Sequence, residues 1–272
     1  MQDKAERLRA LHKTPPILVL PNAWDAVSAR LFEAEGFPAI ATTSAGVAAT
    51  LGYQDGGAVP AHEMIDAISR IARAVGVPVT ADIEHAYATT PDAVADVVTR
   101  VVAAGAVGIN LEDILPGAAD LEPVSIQADK ITTVAKATRK AGVPVVINAR
   151  TDVFLRAIGA PETRLAVAIE RGRAYLAAGA DCVFVPGAFD RETIAALVAG
   201  IGGPINIIAL AGAQSTAELE ALGVARVSVG SGPHRATMAL TRDIARELKP
   251  RGTYESFTRH AMPYAEVQTL MK

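Results

Sequence analysis

The chain has 272 residues, of which 50% are hydrophobic and 20% are charged. It can therefore bury a large core, and because only 4% of the residues are aromatic, aliphatic side chains must fill that core. The formal net charge is −3 and no stretch is strongly basic, so we expect small ligands as partners and no nucleic acid. No run of about 18 apolar residues occurs, which argues against a membrane segment.

The sequence contains one cysteine, Cys182, which cannot form a disulfide within the chain. It lies in the apolar segment 182–185, which has the pattern of a buried strand. Both observations fit a reducing compartment, and we expect a cytoplasmic protein.

A short pattern recurs along the chain, in which a helix end rich in small residues is followed by a glycine and then by an apolar strand. Each glycine suits the left-handed position that ends a helix, where a side chain is costly. The pattern predicts eight strands, at 17–20, 39–43, 77–82, 107–112, 143–150, 181–186, 205–210 and 225–230. Segments with a helical period precede and separate them, and predict helices at 1–13, 24–35, 61–75, 91–104, 125–141, 161–178, 190–200, 214–221 and 232–248.

Apolar strands that alternate with helices indicate an α/β fold with a parallel sheet covered by helices. Eight regular units fit closure into a (β/α)₈ barrel, or TIM barrel, better than an open doubly wound sheet, which is the alternative. Since such barrels commonly contain about 250 residues, we expect a single catalytic domain over residues 1–272. A further helix is predicted at about 253–265, and its aromatic side chains favour contacts between subunits.

The ends of the predicted strands carry an unusual number of acids, and in a barrel the reactive groups lie at the carboxyl ends of the strands. The third strand ends in Asp82, Glu84 and His85, and the fourth ends in Glu112. Strand alternation places Asp82 and Glu84 on one face, so that their carboxylates converge at the barrel mouth. Asp55, in the loop after the second strand, belongs to the same end of the barrel.

Carboxylates gathered in one place repel each other, and a bound cation would relieve this repulsion. Oxygen ligands without a His and Cys cluster favour Mg²⁺, with Mn²⁺ as an alternative, over zinc. We therefore predict a metal site with the ligands Asp82, Glu84, Glu112 and Asp55. The alternative interpretation is that the acids at strand ends are solvated loop residues or helix N-caps, which fits Asp113 and Asp152 best.

Residues that could bind a small carboxylate substrate lie beside these acids. Arg150, at the end of the fifth strand, has a planar guanidinium that can hold a carboxylate through two donors. The second strand ends in small residues that let backbone N–H groups and hydroxyls approach an anion, namely Thr43, Ser44, Ala45 and Gly46. Small residues at a strand end also suit an ordinary turn.

Two other segments have simpler interpretations. Residues 230–232, Gly-Ser-Gly, follow the last strand where many barrels bind phosphate, but Pro233 favours an ordinary helix start. Asn22 is a candidate cap for the helix at 24–35.

Four segments in this order and spacing resemble the isocitrate lyase and phosphoenolpyruvate mutase superfamily: PNAWDAVSARLFEAEGFPAIATTSAGVAATLGYQD, VPVTADIEHAY, GAVGINLED and VPVVINARTD. The resemblance implies a (β/α)₈ barrel whose terminal helices exchange between subunits, as a homodimer or homotetramer. It also implies that Asp82 binds Mg²⁺ while Asp55, Glu84 and Glu112 hold its waters. Residues 44–46 and Arg150 match the carboxylate-binding elements.

The chain also departs from this superfamily. Its lyases carry a Lys/Arg-Cys-Gly-His motif on a mobile loop, whereas the corresponding segment here, 114–121, contains no cysteine. The Lys and Asn of the phosphonomutase loop are absent as well. Within 114–124 the only side chains able to transfer protons are Asp120 and Glu122.

These observations predict a Mg²⁺-dependent lyase or decarboxylase that cleaves a C–C bond of a small 2-oxo or 2-hydroxy acid through an enolate. The predicted catalytic residues are Arg150, His85 and Asp55, although His85 fits a hydrogen-bonded spectator equally well. The alternatives are a phosphonomutase acting on a phosphonopyruvate-like substrate and a catalytically silent barrel that binds a carboxylate.

Overall fold

The computed structural model describes residues 1–13 and 15–272. Its strands are all parallel and form one sheet in the order β1-β9-β8-β7-β6-β5-β4-β3-β2. They are β1 (Leu18–Leu20), β2 (Asn22–Ala23), β3 (Ile40–Thr42), β4 (Val79–Asp82), β5 (Gly108–Glu112), β6 (Val146–Arg150), β7 (Cys182–Phe184), β8 (Ile205–Ile208) and β9 (Arg226–Ser228).

The two edges of this sheet belong to one chain segment. β1 pairs with β9 and β2 pairs with β3, and only Pro21 separates β1 from β2. The first predicted strand is thus extended and divided at a residue that has no backbone N–H. Because its two parts pair with opposite edges, the sheet closes, and the predicted (β/α)₈ barrel is confirmed.

Helices alternate with most of the strands along the chain, and the first helix precedes the first strand. They are α1 (Gln2–Leu11), α2 (Ala26–Ala34), α3 (Ser44–Leu51), α4 (Ala61–Ala74), α5 (Pro91–Ala103), α6 (Val124–Lys140), α7 (Arg164–Ala177), α8 (Arg191–Ile201), α9 (Thr216–Ala221), α10 (Gly232–Arg251), α11 (Glu255–Thr258) and α12 (Tyr264–Leu270). A 3₁₀ turn, Pro161–Thr163, precedes α7. In the described ranges no helix is both long and apolar enough to cross a membrane.

The sequence pattern did not predict α3, because residues 44–46 were assigned to the end of a strand. The strand ends at Thr42, and Thr43 caps the helix by accepting a hydrogen bond from the Gly46 amide at 3.4 Å. A Cβ on Gly46 would lie 2.6 Å from Thr43 Cγ2 and 3.0 Å from Trp24 Cβ. The small residues therefore let a helix start against the barrel wall.

The carboxyl-terminal segment also differs from its prediction. In place of one helix at 253–265 there are two short ones, α11 and α12, because Pro263 lacks the N–H needed to continue a helix and instead starts α12. Arg30 Nη1 donates to the Leu270 carbonyl at 2.7 Å and ties α12 to α2. Tyr254 and Tyr264 are 59% and 79% exposed. The homodimer or homotetramer expected through these helices stays a prediction.

Helix α1 covers the amino-terminal end of the barrel. Leu8 is fully buried in a cluster with Leu18, Leu20, Val107 and Val146. Arg9 Nη2 donates to the carbonyls of residues 144 and 145, just before β6. These contacts fix α1 against the amino-terminal end of the barrel.

Candidate active site

A cavity of about 540 Å³ opens at the carboxyl ends of the strands. It is lined by Ser44, Asp55, Gly56, Glu84, Glu112, Ile114, Leu115, Pro116, Gly117, Arg150, Asp152, Leu155 and Arg156. Asp82 does not line the cavity but accepts a hydrogen bond from Ser44, which does. The structure therefore brings together the acids predicted as metal ligands and places Arg150 and the start of α3 beside them. Leu155 and Arg156 were not predicted, since they lie in an irregular loop after β6.

Asp82 is held at the end of β4 with one carboxylate oxygen left free. Its backbone N–H donates to Thr42 Oγ1 at 2.9 Å. Its Oδ2 accepts from the Ser44 backbone N–H at 3.3 Å and from Ser44 Oγ at 3.0 Å. Oδ1 is buried and has no hydrogen-bond partner among the described residues. An unpartnered, buried carboxylate oxygen is a suitable ligand for a cation.

Glu84 begins a strained loop. Glu84, Ala86 and Tyr87 have φ angles of 53°, 63° and 55°. Residues with a Cβ pay on the order of 1–3 kcal/mol for such conformations, which cluster at functional sites. The strain places the Glu84 carboxylate, which is 2% exposed, in the cavity wall with Oε2 unpartnered among the described residues.

His85 follows in the same loop and is 8% exposed. One of its ring nitrogens, a Glu84 oxygen and a Glu112 oxygen all lie within 4.8 Å of one another. Its Nδ1 has no partner among the described residues. Burial, together with the nearby charge of Lys130, lowers the pKa of His85.

The pKa values of three acids at the cavity, Glu84, Glu112 and Asp55, are raised. Burial, reinforced by the charges of Asp82 and Asp55, raises the pKa of Glu84 to about 7. Burial raises the pKa of Glu112 to about 8, although Arg150 opposes this shift. The pKa of Asp55 is also raised by burial and by Asp82. A cation among these groups would stabilise their ionised forms, so the oxygen-rich donor set fits Mg²⁺ or Mn²⁺.

Arg150 does not present a free two-donor fork to the cavity. Its Nε donates to Asp152 Oδ1 at 2.6 Å and its Nη2 donates to Asp152 Oδ2 at 2.9 Å. Its Nη1 lies 3.0 Å from Glu112 Oε2, and the guanidinium carbon lies 5.8 Å from the centre of the Phe184 ring. The remaining N–H groups of Nη1 and Nη2 are those that can reach a substrate.

Asp113 and Asp152 are neither solvated residues nor helix caps, so this interpretation was wrong. They are 0% and 1% exposed. Asp113 Oδ1 accepts from the Asp152 backbone N–H at 3.0 Å, and its Oδ2 accepts from Arg171 Nη1 at 3.0 Å and from the Tyr175 hydroxyl at 2.7 Å. The burial of Asp113 could have been predicted from strand alternation, because the residue after Glu112 points away from the barrel interior and towards α7.

The loop between β5 and α6 covers the cavity through Ile114, Leu115, Pro116 and Gly117. Its carboxyl-terminal end is fixed, because the Glu122 carboxylate forms an ion pair with Lys130, which is fully buried. The Glu122 carbonyl also accepts from Arg171 Nη2 at 2.9 Å. Neither Glu122 nor Asp120 lines the cavity, so neither is placed to act as a loop-borne acid or base.

Asn22 and the Gly-Ser-Gly segment 230–232 have structural roles. Asp25, rather than Asn22, caps α2 by accepting from the Ser28 backbone N–H at 2.7 Å. Asn22 Oδ1 instead accepts from the backbone N–H groups of Val229 and Gly230, both at 2.9 Å. These bonds fix the segment after β9, where α10 begins at Gly232 as an ordinary helix.

Comparison with known proteins agrees with the fold. Residues 8–249 match the family model described as phosphoenolpyruvate phosphomutase. The chain belongs to this family. It is therefore a member of the superfamily of phosphoenolpyruvate mutases and isocitrate lyases that its motifs resemble, and members of that superfamily are lyases and mutases.

Relatives in the family have different activities. An uncharacterised protein of Mycobacterium tuberculosis is 38% identical over 95% of this chain and 93% of its own length. An oxaloacetate decarboxylase of a Bradyrhizobium species is 32% identical over 90% of this chain and 84% of its own length. The crystal structure of a candidate phosphonomutase from Burkholderia cenocepacia is 40% identical, with a TM-score of 0.86 over 90% of this chain and 99% of that chain.

Proposed function

We propose that this family member is a Mg²⁺-dependent lyase or decarboxylase that cleaves a C–C bond next to the 2-oxo or 2-hydroxy group of a small acid. The observation that carries the proposal is a pair of buried carboxylate oxygens, on Asp82 and Glu84, that have no partner among the described residues. Glu84 lines the cavity, and Asp82 contacts Ser44, which lines it. The 32% identical oxaloacetate decarboxylase supports this choice of reaction.

The residues that would hold the cation are Asp82, Glu84, Glu112 and Asp55. Asp82 is the best oriented of these, because Ser44 fixes Oδ2 and leaves Oδ1 free. When bound, the cation supplies positive charge that stabilises the enolate left by bond cleavage.

The substrate carboxylate would lie between α3 and Arg150. The first N–H groups of a helix have no partner within the helix and carry partial positive charge, so they bind anions. In α3 the N–H that remains for an anion among the described residues is that of Ala45, because the N–H of Ser44 donates to Asp82 and those of Gly46 and Val47 donate to Thr43, the cap. Arg150, held by Asp152, adds the remaining N–H groups of Nη1 and Nη2 from the opposite side.

The apolar residues of the covering loop, Ile114, Leu115 and Pro116, would limit the access of water to the enolate. Protonation of the enolate then needs a group at the cavity wall. Asp55 is such a group, since it lines the cavity and, among the described residues, the hydrogen bond of its carboxylate to another side chain is a long one, 3.5 Å from Ser44 Oγ. Cys182 is unsuitable because it is fully buried and does not line the cavity.

The second candidate function is a phosphonomutase reaction, favoured by the likeness to the Burkholderia structure. Against it, segment 114–121 lacks the Lys and Asn noted above. The third is a silent carboxylate-binding barrel.

One screen separates the three functions. The protein is incubated with oxaloacetate, other 2-oxo and 2-hydroxy diacids, and phosphonopyruvate, with Mg²⁺ or with EDTA, and products are followed by proton and phosphorus NMR. We expect Mg²⁺-dependent release of CO₂, pyruvate or glyoxylate, which Asp82→Asn abolishes. Migration or loss of the phosphorus group would favour the phosphonomutase. Oxalate binding without turnover of any compound would favour the silent barrel.

A further inference from the structure

A histidine, His85, lies beside the acids of the cavity. A ring nitrogen of His85 lies within 4.8 Å of oxygens of both Glu84 and Glu112. Three ligand atoms bound to one ion at about 2.0–2.2 Å lie at most about 4.4 Å apart. Small side-chain shifts would therefore bring the three groups onto one cation.

Buried atoms of His85 and Glu84 without hydrogen-bond partners indicate that these two side chains bind a ligand. His85 Nδ1 and Glu84 Oε2 are buried and have no hydrogen-bond partner among the residues that the structure describes. Both side chains are more than nine-tenths buried, with exposures of 8% and 2%. Buried polar atoms without a partner are costly, and they are rare unless an ion or water satisfies them.

The ring of His85 is fixed in place. A Cβ on Gly57 would lie 3.1 Å from His85 Cε1 and 2.6 Å from Pro116 Cγ, so the loop after α3 approaches the ring closely. On another side, the Tyr87 ring centre lies 5.6 Å from that of His85. Neutralisation of Lys130 by Glu122 reduces the repulsion that a cation near His85 would meet.

We propose that His85 is a further direct ligand of the divalent cation that Asp82, Glu84 and Glu112 would hold, and that it gives the site a preference for Mn²⁺ or a similar transition-metal ion over Mg²⁺. The inference rests on the proposed metal-dependent function and refines the identity of its metal. Imidazole nitrogen binds Mn²⁺, Fe²⁺, Co²⁺ and Zn²⁺ well, whereas Mg²⁺ strongly prefers oxygen. The carboxylates keep the site suitable for Mn²⁺.

The test uses the intact metal-free protein, loaded with Mn²⁺ or Mg²⁺ alone. Calorimetric titrations compare wild type, His85→Gln and the matched control His62→Gln, which changes an exposed histidine on α4. We expect wild type to bind Mn²⁺ more tightly than Mg²⁺. We expect His85→Gln to lose roughly tenfold or more in Mn²⁺ affinity, while its Mg²⁺ affinity changes by less than about threefold.

A second measurement does not depend on the variant folding well. Electron spin echo spectroscopy of the Mn²⁺-loaded wild type should show coupling to a directly bound ¹⁴N nucleus, and labelling the histidines with ¹⁵N should shift that signal. Mg²⁺ and Mn²⁺ binding with no nitrogen coupling, and with equal losses in both affinities on His85→Gln, would overturn the role of His85 and leave the proposed function standing. Failure of both ions to bind wild type would overturn the metal site itself.

Discussion

Arg150 and Asp152, two residues apart at the end of β6, face each other through two hydrogen bonds of 2.6 Å and 2.9 Å. Asp152 is itself fixed, because its backbone N–H donates to Asp113, which Arg171 and Tyr175 hold. The guanidinium therefore has one orientation at the cavity wall, with its Nη1 towards Glu112. Because the Arg150 side chain is already ordered, it loses little conformational entropy when it binds an anion.

This arrangement predicts that Arg150→Lys weakens oxalate binding by about 1–3 kcal/mol, because charge-assisted hydrogen bonds are lost while the charge remains. Calorimetry with the Mg²⁺-loaded protein measures the effect. The control is Arg139→Lys on the exposed surface of α6, which should bind oxalate as wild type does. Equal oxalate affinity in wild type and Arg150→Lys would assign Arg150 to a purely structural ion pair.

Mg²⁺ should raise the melting temperature of the wild-type protein, because an ion that binds only the folded state stabilises it by mass action. Asp82→Ala should abolish the increase, since it removes the best-oriented predicted ligand. Differential scanning fluorimetry across millimolar Mg²⁺ measures this, with Asp96→Ala on the exposed face of α5 as the control. A melting curve of the wild type that Mg²⁺ leaves unchanged would contradict the predicted metal site.

The site residues at the ends of strands could be predicted from local sequence by two rules. Side chains alternate along a strand, and the active site of a barrel lies at the carboxyl ends of its strands. These rules placed Asp82, Glu84 and Glu112 together at one end of the barrel. The partner of Arg150 could not be predicted in the same way. Asp152 reaches back to it only because the chain turns after β6, and a turn of this type has no periodic pattern.

Glu122 shows a second limit of sequence reasoning. Its position in the loop after β5 suggested a side chain that is free to transfer protons. Its partner Lys130, however, lies in the second turn of α6 and is fully buried. Lysine on a helix is usually solvated, so nothing in the local pattern indicates a buried ion pair. The left-handed residues 84, 86 and 87 likewise follow from tertiary packing and not from residue type.

The Glu122–Lys130 pair should contribute to stability and not to proton transfer. Lys130→Met leaves a buried carboxylate without its partner, and we expect it to lower the free energy of unfolding by about 3–5 kcal/mol. Asp120→Asn, in the same loop but outside the cavity, should change stability by less than about 0.5 kcal/mol and turnover by less than about tenfold. Urea unfolding and steady-state rates measure both. A stable Lys130→Met protein would show that the pair is dispensable.

Cys182→Ser should leave turnover unchanged. The thiol is fully buried in β7, and burial raises its pKa to about 12, so it is not a thiolate near neutral pH. In native wild-type protein the thiol should also resist Ellman's reagent and react only after unfolding. A loss of a thousandfold or more on substitution, with folding and metal binding intact, would restore a thiol mechanism.

His12, which lies just after α1 and is 4% exposed, should make a contribution to stability that is lost in mild acid. Its Nδ1 lies 2.8 Å from the Leu8 carbonyl. Burial, with the nearby charge of Arg226, lowers the pKa of His12 to about 4 in the folded protein. An unfolded histidine has a pKa of about 6.5.

The sign follows from proton uptake. Between pH 6.5 and pH 4 the unfolded chain binds a proton at His12 and the folded chain does not, so falling pH favours unfolding. Between pH 7 and pH 5 this one group should lower the free energy of unfolding by roughly 1–2 kcal/mol. His12→Gln removes the ionisable group, so on going from pH 7 to pH 5 its free energy of unfolding, measured in urea, should rise relative to that of wild type by that amount. His62→Gln, which changes an exposed histidine on α4, should keep the wild-type difference between the two pH values. NMR titration of the His12 ring gives an independent check, since a ring that protonates near pH 6.5 in the folded protein would contradict the prediction.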